Sequence, residues 1–282
     1  MKISEIVNGL GVKVEGIDLS SNLTPQIILN IQNLLKSKKV VVIKNQNLTD
    51  EELEKFAFSF GPAFVPDKKF PVLGGTESNS SIVIVGNQAN EYSNSYLGHQ
   101  EVLPHSDHQW LQSPSAASML YAVDIGENSS PTIWFDMTNA YEKLNEQIKS
   151  KIKDLKLITY NPFYRPFGQV SSKYVNLDID IPPGDIFSHP LVRTHPYTEE
   201  KILYMNIAYE VGFENIPYKE GIKLYLTLFD YIKNLDCKYE HKWENGDLVF
   251  WDNRATIHYR PSFGSDVRRV LKRLTLGGEI PF

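Results

Sequence analysis

The chain has 282 residues, a formal net charge of −5, 41% hydrophobic residues and 22% charged residues. A chain of this length and composition can bury a large core, which excludes a fibrous or intrinsically disordered protein. Because acidic residues outnumber basic ones, there is no excess of Lys and Arg for a phosphate backbone, and we expect no nucleic-acid partner. The chain has neither the run of about 18 apolar residues that a membrane helix needs nor an N-terminal signal sequence. We therefore expect a cytoplasmic protein without a membrane partner.

The N-terminal residues predict two helices with a strand between them. The dipeptide Thr24-Pro25 is typical of a helix start, and apolar residues recur at helical spacing from there to the lysine cluster before Val40. The apolar run Val40–Ile43 predicts a buried strand. A capping box that begins at Thr49 predicts a second helix, which should end near Gly61.

Beyond the second helix, the pattern is one of short strands among long loops. The segment 62–98 is rich in Pro, Gly, Asn and Ser and predicts loops with one strand at Ile82–Val85. Helices are predicted at about 138–153 and 219–234. Further strands are predicted at Met119–Val123, Thr132–Phe135, Leu157–Tyr160, Leu203–Ile207, Leu248–Trp251 and Val270–Leu276. With neither a βαβ rhythm nor a glycine-rich phosphate loop, this pattern favours an α+β fold with a mainly β core, a barrel or jelly roll decorated with helices.

The segment Pro104-His105-Ser106-Asp107-His108 carries the first sign of chemistry. If it forms a strand, His105 and Asp107 project to the same face and can present an imidazole and a carboxylate to one metal ion. A His-x-Asp pair also arises by chance, and a polar surface turn after Pro104 explains it as simply. The pair therefore needs a further ligand before it indicates a site.

A third candidate ligand, His258, follows the apolar run Leu248–Trp251 by a short turn. Two histidines and one carboxylate on one face of Fe(II) leave positions open on the metal, as oxygen activation requires. Because Cys237 is the only cysteine, a Cys-based zinc site is excluded, and Cys237 is interpreted as a structural residue. Arg269 lies on the next apolar stretch and has a guanidinium that can pair with one end of a dicarboxylate.

Together these motifs resemble the taurine dioxygenase-like Fe(II)/2-oxoglutarate oxygenases, the TauD/TfdA family. The motifs that carry the resemblance, over nearly the whole chain, are Gly11–Leu19, Asn47–Thr49, His105-x-Asp107, His189–Pro196 and Trp251–His258. The resemblance implies a single oxygenase domain over residues 1–282, with a double-stranded β-helix (jelly roll, cupin-like) as its core. It also implies Fe(II), 2-oxoglutarate and O2, a small-molecule substrate, and conversion of 2-oxoglutarate to succinate and CO2. Family members are commonly homo-oligomers, so we expect a homo-oligomer.

The resemblance also implies a role for each candidate residue. The implied metal ligands are His105, Asp107 and His258. Thr132 and Arg269 would hold the distal carboxylate of 2-oxoglutarate, and their spacings agree with the family, 25 residues after Asp107 and 11 after His258. Where the family usually has Gly-Gly-x before the threonine, this chain has Ser129-Ser130-Pro131. The rigid proline can alter the start of the strand, but it leaves the hydroxyl available.

Arg273 is the candidate anchor for the primary substrate, because taurine oxygenases bind the acidic group of their substrate with the matching arginine. Taurine itself is not the expected substrate. Taurine-type enzymes supply a substrate-binding histidine from the loops before the His-x-Asp pair, and this chain has no histidine between Pro62 and Gly98. The residues that these loops offer instead are Asn87, Gln88, Asn90, Tyr92 and Tyr96. We expect a small acidic or amino-acid-derived substrate, with Arg273 and Asn87 as contacts.

The expected reaction is hydroxylation of an unactivated C–H bond. The carboxylate of Asp107 occupies the position that a halide takes in related halogenases, so halogenation is disfavoured. Desaturation or isonitrile-type oxidation at the same iron site remains open, and only product analysis separates them. A zinc hydrolase also suits two histidines and an aspartate, but it has no use for the dicarboxylate clamp of Thr132 and Arg269. A jelly-roll binding protein without catalysis would show a broken ligand set, whereas all three candidate ligands are present.

The other histidines have weaker claims. His99 and His108 flank the metal pair, and they either orient groups around it or face solvent. His241 lies beside Lys242 and is predicted to be exposed. The residues of a family motif that would support the site or a subunit contact are His189, Arg193 and His195. Core packing is predicted for the aromatic strand residues Tyr121, Trp134, Phe135, Phe250 and Trp251.

Overall fold

The computed structural model describes residues 1–7, 9–65, 81–87, 95–164, 173–179 and 184–282 of the chain. Its strands are β1 (Lys2–Val7), β2 (Leu10–Glu15), β3 (Val40–Ile43), β4 (Val83–Gly86), β5 (Ser95–Leu97), β6 (Val102–His105), β7 (Ala117–Ile125), β8 (Thr132–Asp136), β9 (Lys156–Thr159), β10 (Lys173–Tyr174), β11 (Ser188–Pro190), β12 (Val192–Thr194), β13 (Lys201–Leu203), β14 (Glu210–Phe213), β15 (Lys238–His241), β16 (Leu248–Asp252), β17 (Thr256–Arg260) and β18 (Arg269–Leu276). Its helices are α1 (Pro25–Lys38), α2 (Asp50–Phe58), α3 (Met137–Glu142), α4 (Glu146–Ile152) and α5 (Tyr218–Lys233). Within these ranges no helix is long and apolar enough to cross a bilayer.

Two sheets share the core that supports the candidate ligands. The larger sheet has the strand order β1-β2-β3-β16-β7-β18-β4-β5, and the smaller one has the order β15-β8-β17-β6. One apolar cluster joins them and contains Val249 and Trp251 of β16 together with Trp134 of β8. Two sheets that enclose a common core and exchange strands out of chain order form a jelly roll. The predicted β core decorated with helices is confirmed.

The middle of the larger sheet is apolar because it is covered on both faces. All residues of β16 are buried, and the strand lies between β3 and β7. Trp251 packs towards the smaller sheet, whereas Phe250 packs against α1 and α2 in a second cluster with Ile31 and Leu53. A strand with two covered faces reads as a continuous apolar run, which explains why its sequence does not alternate.

Both predicted N-terminal helices are confirmed. The Thr24 side chain accepts a hydrogen bond from the backbone of Ile27 and caps α1, with proline in the first turn. At the start of α2, Thr49 and Glu52 form both hydrogen bonds of a capping box. These helices cover the outer face of the larger sheet, away from the candidate ligands.

Two predictions for the later elements are wrong. The single helix predicted over 138–153 is two helices, because the Asn145 side chain caps a new helix start at α4. The strand predicted over Leu203–Ile207 ends after its first residue. There the chain turns inward, and the buried Asn206 amide donates to the side chain of Gln109 at 2.7 Å instead of pointing out from a strand.

Candidate metal centre and adjoining cavities

The candidate metal ligands meet where β6 pairs with β17. The antiparallel register places His105 opposite His258, and their ring centroids are 4.2 Å apart. Because β6 ends at His105, Asp107 lies in the following turn and not on a strand with His105, the arrangement that the sequence analysis considered for the pair. The turn still brings its carboxylate to the two imidazoles, since ligand atoms of the three residues lie within 4.8 Å of one another. The three side chains can hold one metal ion.

Both histidines are neutral at neutral pH, the form in which imidazole binds a metal. The Nδ1 of His105 lies 2.8 Å from the carbonyl oxygen of Leu103. Because a carbonyl only accepts, Nδ1 carries the proton and Nε2 keeps its lone pair, 3.8 Å from Oδ1 of Asp107. Burial lowers the pKa of His105, and it lowers the pKa of His258 to about 3. The Nδ1 of His258 is buried without a hydrogen-bond partner among the described residues, which fits a metal site.

Asp107 supplies the negative charge of this cluster. Its Oδ2 accepts a hydrogen bond from the Ser118 hydroxyl at 2.8 Å, and its Oδ1 lies 3.3 Å from a guanidinium nitrogen of Arg273. Burial alone would raise the pKa of the carboxyl, but the positive charge of Arg273 outweighs burial and holds the pKa well below its ordinary value. An ionised carboxylate and two neutral imidazoles form a donor set that suits Fe(II), and also zinc.

Hydrogen bonds behind the ligands fix the turn that carries Asp107. The Ser106 hydroxyl donates to the backbone carbonyl of Asn253 at 2.7 Å. The Asn253 amide donates to the hydroxyl of Ser118, also at 2.7 Å, and that hydroxyl donates to Asp107. Trp251 donates to the Asn253 side chain and fixes its orientation. Asn253 thus orients the carboxylate through Ser118, a role that the sequence analysis did not assign, although the residue lies in a quoted motif.

A small cavity of about 40 Å³ beside the candidate ligands is lined by the buried guanidinium of Arg269, together with Arg260 and Arg273. Arg269 is 1% exposed, and its side chain donates to the carbonyl of Ser130 at 3.1 Å and to Oγ1 of Thr132 at 3.0 Å. Burial, and secondarily the nearby Arg260, lowers the pKa of Arg269 to about 9. The group is still charged at neutral pH, and within the described ranges no carboxylate pairs with it. A carboxylate that entered this cavity would compensate the buried charge.

The unusual turn before Thr132 leaves this arrangement intact. The Ser130 hydroxyl donates to the carbonyl of Pro261 at 2.8 Å, and the carbonyl of Ser130 accepts the bond from Arg269. Thr132 is the first residue of β8, as the sequence predicted. Pro131 therefore precedes the strand without removing a ladder hydrogen bond.

A larger cavity of about 530 Å³ adjoins the candidate ligands. Trp110 contacts Phe163 and Tyr209 edge-on, with ring centroids 5.8 Å and 5.0 Å away, and all three rings line the cavity. Tyr209 also lies edge-on to His105 at 5.7 Å. Arg273 lines both this cavity and the smaller one. One guanidinium therefore faces the metal candidates and the space available to a substrate.

The two histidines that flank the metal pair both line the larger cavity. His108 has a left-handed backbone, φ 58, and its ring stacks on Phe64 with centroids 4.0 Å apart. Its Nδ1 hydrogen bonds with the hydroxyl of Ser115, and burial lowers its pKa to about 3. The Nε2 of His99 lies 2.9 Å from the side-chain amide of Gln100. His108 thus presents a neutral ring at the cavity wall, and the functional roles of both histidines stay predictions.

Asn87 lies outside the lining of both cavities. Its amide donates to the backbone carbonyls of Ser265 and Val267, and its oxygen accepts from the backbone N–H of Arg269 at 3.1 Å. The side chain therefore fixes the loop before β18, and its substrate contact stays a prediction. The loop candidates outside the described residues are Gln88, Asn90 and Tyr92.

The family motif in the middle of the chain supports the turn before His258. The Nε2 of His195 lies 3.1 Å from Oδ2 of Asp252, and Arg254 pairs with the same carboxylate at 2.7 Å. Arg193 pairs with a glutamate of the C-terminal tail, and His189 hydrogen bonds with a backbone carbonyl at 2.8 Å. These residues stabilise the surroundings of the site. They do not belong to the metal-ligand group of His105, Asp107 and His258.

The prediction that His241 is exposed is wrong. Residues of β15 alternate between exposed and buried, so His241 points inward and Lys242 points outward. The imidazole Nδ1 lies 2.7 Å from the hydroxyl of Tyr239, and Nε2 lies 3.0 Å from Oδ2 of Asp247. The exposure of Lys242 does not predict the exposure of His241, because adjacent residues of a strand lie on opposite faces.

A buried arginine at the end of β17 holds one rim of the larger cavity. Arg260 donates to the carbonyls of Gly98 at 2.6 Å and Leu97 at 2.9 Å, and also to that of Gln100. Leu97 and Gly98 both have left-handed backbones, with φ 71 and φ 42. The rim thus depends on side-chain donors to satisfy its carbonyls.

Replacing Arg260 by alanine should loosen this rim. Three carbonyls lose their donors, so the amides of residues 97–101 should exchange hydrogen at least about tenfold faster, as expected for a locally opened segment. Mass spectrometry of hydrogen exchange measures this, with Arg268→Ala as the control because that guanidinium pairs with Asp124 near the surface. Unchanged exchange at 97–101 would show that other contacts hold the rim.

Comparison with known proteins gives a consistent result. The model of the family described as "Taurine catabolism dioxygenase TauD, TfdA family" matches residues 2–275. An alpha-ketoglutarate-dependent 2,4-dichlorophenoxyacetate dioxygenase of Cupriavidus pinatubonensis is 29% identical, covering 93% of this chain and 92% of that protein. A taurine dioxygenase structure from Burkholderia xenovorans has a TM-score of 0.80 at 26% identity, covering 99% of this chain and 90% of that one. The structure of AAD-2 in complex with Mn(II) and N-oxalylglycine has a TM-score of 0.76 at 25% identity, covering 100% and 99%.

These matches confirm the resemblance drawn from the motifs. The relative from Cupriavidus is named as an alpha-ketoglutarate-dependent dioxygenase, and a similar structure was solved in complex with Mn(II) and N-oxalylglycine. The three grouped ligand candidates fit the iron of such an enzyme. The family match and the named relative therefore favour an oxygenase over the zinc hydrolase and the binding protein. Because the family model spans nearly the whole sequence, this chain belongs to the TauD/TfdA family of Fe(II)- and 2-oxoglutarate-dependent dioxygenases.

Proposed function

We propose that this dioxygenase hydroxylates an unactivated C–H bond of a small substrate that carries a carboxylate or a similar oxyanion on an apolar body. The observation that carries the proposal is the position of Arg273. Its guanidinium lies beside Asp107 and lines the larger cavity next to the candidate metal ligands. An oxyanion paired with it would hold the rest of a small molecule close to the metal.

The balance of buried charge supports an anionic substrate. Fe(II) and the doubly charged 2-oxoglutarate neutralise each other, which leaves three guanidinium groups against one carboxylate. The guanidinium groups belong to Arg260, Arg269 and Arg273, and the carboxylate to Asp107. Glu101 also lines the larger cavity, but it is exposed at the rim and hydrogen bonds with Tyr259. A site with excess buried positive charge favours a ligand that brings negative charge.

The walls of the larger cavity support an apolar body. Its volume of about 530 Å³ lies within the usual range for small-molecule sites, and Trp110, Phe163 and Tyr209 supply flat apolar surfaces. The relative from Cupriavidus is named for 2,4-dichlorophenoxyacetate, which is an anion on an aromatic ring. Aryl or branched alkyl carboxylates, including N-acyl amino acids, therefore head the candidates for this chain.

Each side chain then has a defined task. His105, Asp107 and His258 would hold Fe(II), which supplies the oxidising chemistry with 2-oxoglutarate and O2. Thr132 and Arg269 would bind the distal carboxylate of 2-oxoglutarate, and Arg273 would bind the substrate anion. The aromatic walls would exclude water around the reacting C–H bond. Hydroxylation adds one oxygen atom to the product, whereas desaturation removes two hydrogen atoms, so product mass distinguishes the two outcomes.

The test is an anaerobic titration of the Fe(II)-loaded protein with 2-oxoglutarate, followed by a panel of aryloxyacetates, N-acyl amino acids, alkyl sulfates and alkyl sulfonates. The visible charge-transfer band of the chelate should appear and then shift when a substrate binds. Substrates found in this way should accelerate succinate formation and gain one oxygen atom. No band in protein that holds iron would overturn the proposed cosubstrate site.

Replacing Arg273 by alanine should impair use of the primary substrate and leave 2-oxoglutarate binding nearly unchanged. Loss of one charge-assisted partner should lower kcat/KM for the substrate roughly 30-fold or more. This fall corresponds to a loss of about 2 kcal/mol in transition-state stabilisation. Substrate-stimulated succinate formation measures this loss. The matched control is Lys272→Ala, which removes the adjacent cation and its ion pair with Asp50. Wild-type substrate use by Arg273→Ala would move the anchor elsewhere.

Three further expectations stay predictions. They are the single domain over residues 1–282, the cytoplasmic location and the homo-oligomeric state. Size-exclusion chromatography with light scattering would measure the oligomeric state directly.

A further inference from the structure

We infer that Trp243 is a positioning residue for the cosubstrate: its indole N–H orients the hydroxyl of Thr132 so that this hydroxyl donates to the distal carboxylate. The inference rests on the proposed roles of Thr132 and Arg269 and extends them to a residue that no sequence motif indicated. Trp243 lies just after β15, outside the lining of both cavities. It acts through Thr132 and not by contact with the ligand.

The hydrogen bonds at Oγ1 of Thr132 carry the argument. The Nε1 of Trp243 donates to this oxygen at 3.0 Å, and a guanidinium nitrogen of Arg269 donates to it, also at 3.0 Å. Neither an indole N–H nor a guanidinium can accept a hydrogen bond. A hydroxyl oxygen has two lone pairs and one proton, so both lone pairs of Thr132 are occupied. The proton can only be donated in a third direction, and Thr132 lines the small cavity beside Arg269.

A threonine hydroxyl usually rotates to suit its neighbours, and here that freedom is lost. With both lone pairs occupied, Thr132 cannot turn one of them towards the carboxylate, where it would repel the ligand oxygen. Arg269 and Thr132 thus both line the small cavity as hydrogen-bond donors, and the hydroxyl proton of Thr132 is left free for an incoming anion. Donors fixed before the ligand arrives bind an anion more tightly than donors that must first reorganise.

The surroundings of Trp243 fix its indole. Residues of β15 pair with β8 so that His241 lies opposite Thr132, and the ring of Trp243 meets that of His241 edge-on at 4.6 Å. The turn after Trp243 is held by Asp247, which accepts from the backbone of Glu244 at 3.0 Å and pairs with His241. The indole is buried, with 6% exposed. Its N–H therefore has a single orientation, towards Thr132.

The test replaces Trp243 by phenylalanine, which keeps an aromatic ring and removes the N–H. The affinity of the Fe(II)-loaded protein for 2-oxoglutarate, read anaerobically from the visible chelate band, should fall about fivefold, the usual worth of one hydrogen bond. Iron content should be unchanged. If Trp243→Phe does not fold, benzothienylalanine at position 243 keeps the bicyclic shape and still lacks the donor.

Trp134→Phe is the matched control. Trp134 is fully buried in the same cluster and packs against Trp243, but its Nε1 has no hydrogen-bond partner among the described residues. The control loses the same ring atoms without losing a hydrogen bond, so its affinity for 2-oxoglutarate should equal that of the wild type. A loss of similar size in Trp134→Phe would mean that packing and not the N–H sets the affinity, and would overturn the inference.

A double-mutant cycle with Thr132→Val tests the route of the effect. If Trp243 acts through the hydroxyl, Trp243→Phe should cost nothing further once Thr132 is valine, and the two losses should not add. Additive losses, or an unchanged affinity in Trp243→Phe alone, would overturn the inference. Failure of the proposed cosubstrate site looks different, because then Arg269→Ala would also bind 2-oxoglutarate as tightly as the wild type.

Discussion

Alanine at position 107 should abolish 2-oxoglutarate-dependent oxidation by removing the only carboxylate among the three grouped ligand candidates. Loss of a partner that merely orients a ligand costs 10–100-fold in metal affinity, so loss of the ligand itself should cost more than about 100-fold. The same change leaves Arg273 without its ion-pair partner in a buried site, which should also destabilise the fold. Iron content after gel filtration and succinate formation at saturating 2-oxoglutarate measure the first effect.

Two controls separate these effects of Asp107→Ala. Asp124→Ala removes another ion-paired carboxylate, one that pairs with Arg268 near the surface, and it should leave iron binding and turnover unchanged. The thermal unfolding temperature of Asp107→Ala measures how much stability is lost with the Arg273 pair. A folded Asp107→Ala protein that binds iron and forms succinate at the wild-type rate would remove Asp107 from the site.

Part of the candidate site could be predicted from the sequence, because apolar runs indicate some of the strands that carry its residues. Thr132 begins a predicted strand and Arg269 directly precedes another, whereas His258 lies on β17, which was not predicted as a strand; antiparallel pairing brings β8, β17 and β6 together. The family motif indicated which polar residues on those strands mattered. The shared face of His105 and Asp107 was argued for a strand; Asp107 lies in a turn, yet it reaches His105 because the turn follows directly.

The contacts that the sequence could not supply join residues far apart along the chain. Trp243 meets Thr132 across 111 positions, and Asn87 meets the backbone of Arg269 across 182. Such pairs depend on which strands become neighbours, and local patterns of propensity and polarity do not encode that choice. For this reason the sequence analysis missed Trp243 and assigned Asn87 to the substrate.

Local competition explains the wrong secondary structure. Apolar periodicity favoured one helix over 138–153, but a single cap by Asn145 divides it. At 203–207 apolar composition predicted a strand, whereas the buried amide of Asn206 donates to the side chains of Gln109 and Thr159 after the strand has ended. In both regions the hydrogen bonds of one asparagine side chain, Asn145 or Asn206, outweighed the helix or strand propensity of the neighbouring residues.

Replacing Arg269 by alanine should give the second large effect, a loss of 2-oxoglutarate affinity with iron binding retained. The buried guanidinium has no carboxylate partner within the described part of the chain, so it is available to the distal carboxylate of the cosubstrate. Removing one partner of a buried charge pair costs about 2 kcal/mol or more, roughly a 30-fold rise in Kd. Anaerobic titration of the chelate band measures it, and the band should still reach full intensity at high 2-oxoglutarate because the metal end of the ligand is untouched.

The neighbouring residue provides a sharp control for Arg269→Ala. Arg268 is adjacent in sequence, but it points the other way and pairs with Asp124, so Arg268→Ala should bind 2-oxoglutarate normally. Arg269→Lys should restore only part of the affinity, because a single ammonium cannot replace the fork that bonds Ser130 and Thr132 and still faces the ligand. Equal affinities in Arg269→Ala and the wild type would place the carboxylate clamp elsewhere. A loss in Arg268→Ala as large as that in Arg269→Ala would instead indicate a general electrostatic effect of positive charge near the cavity.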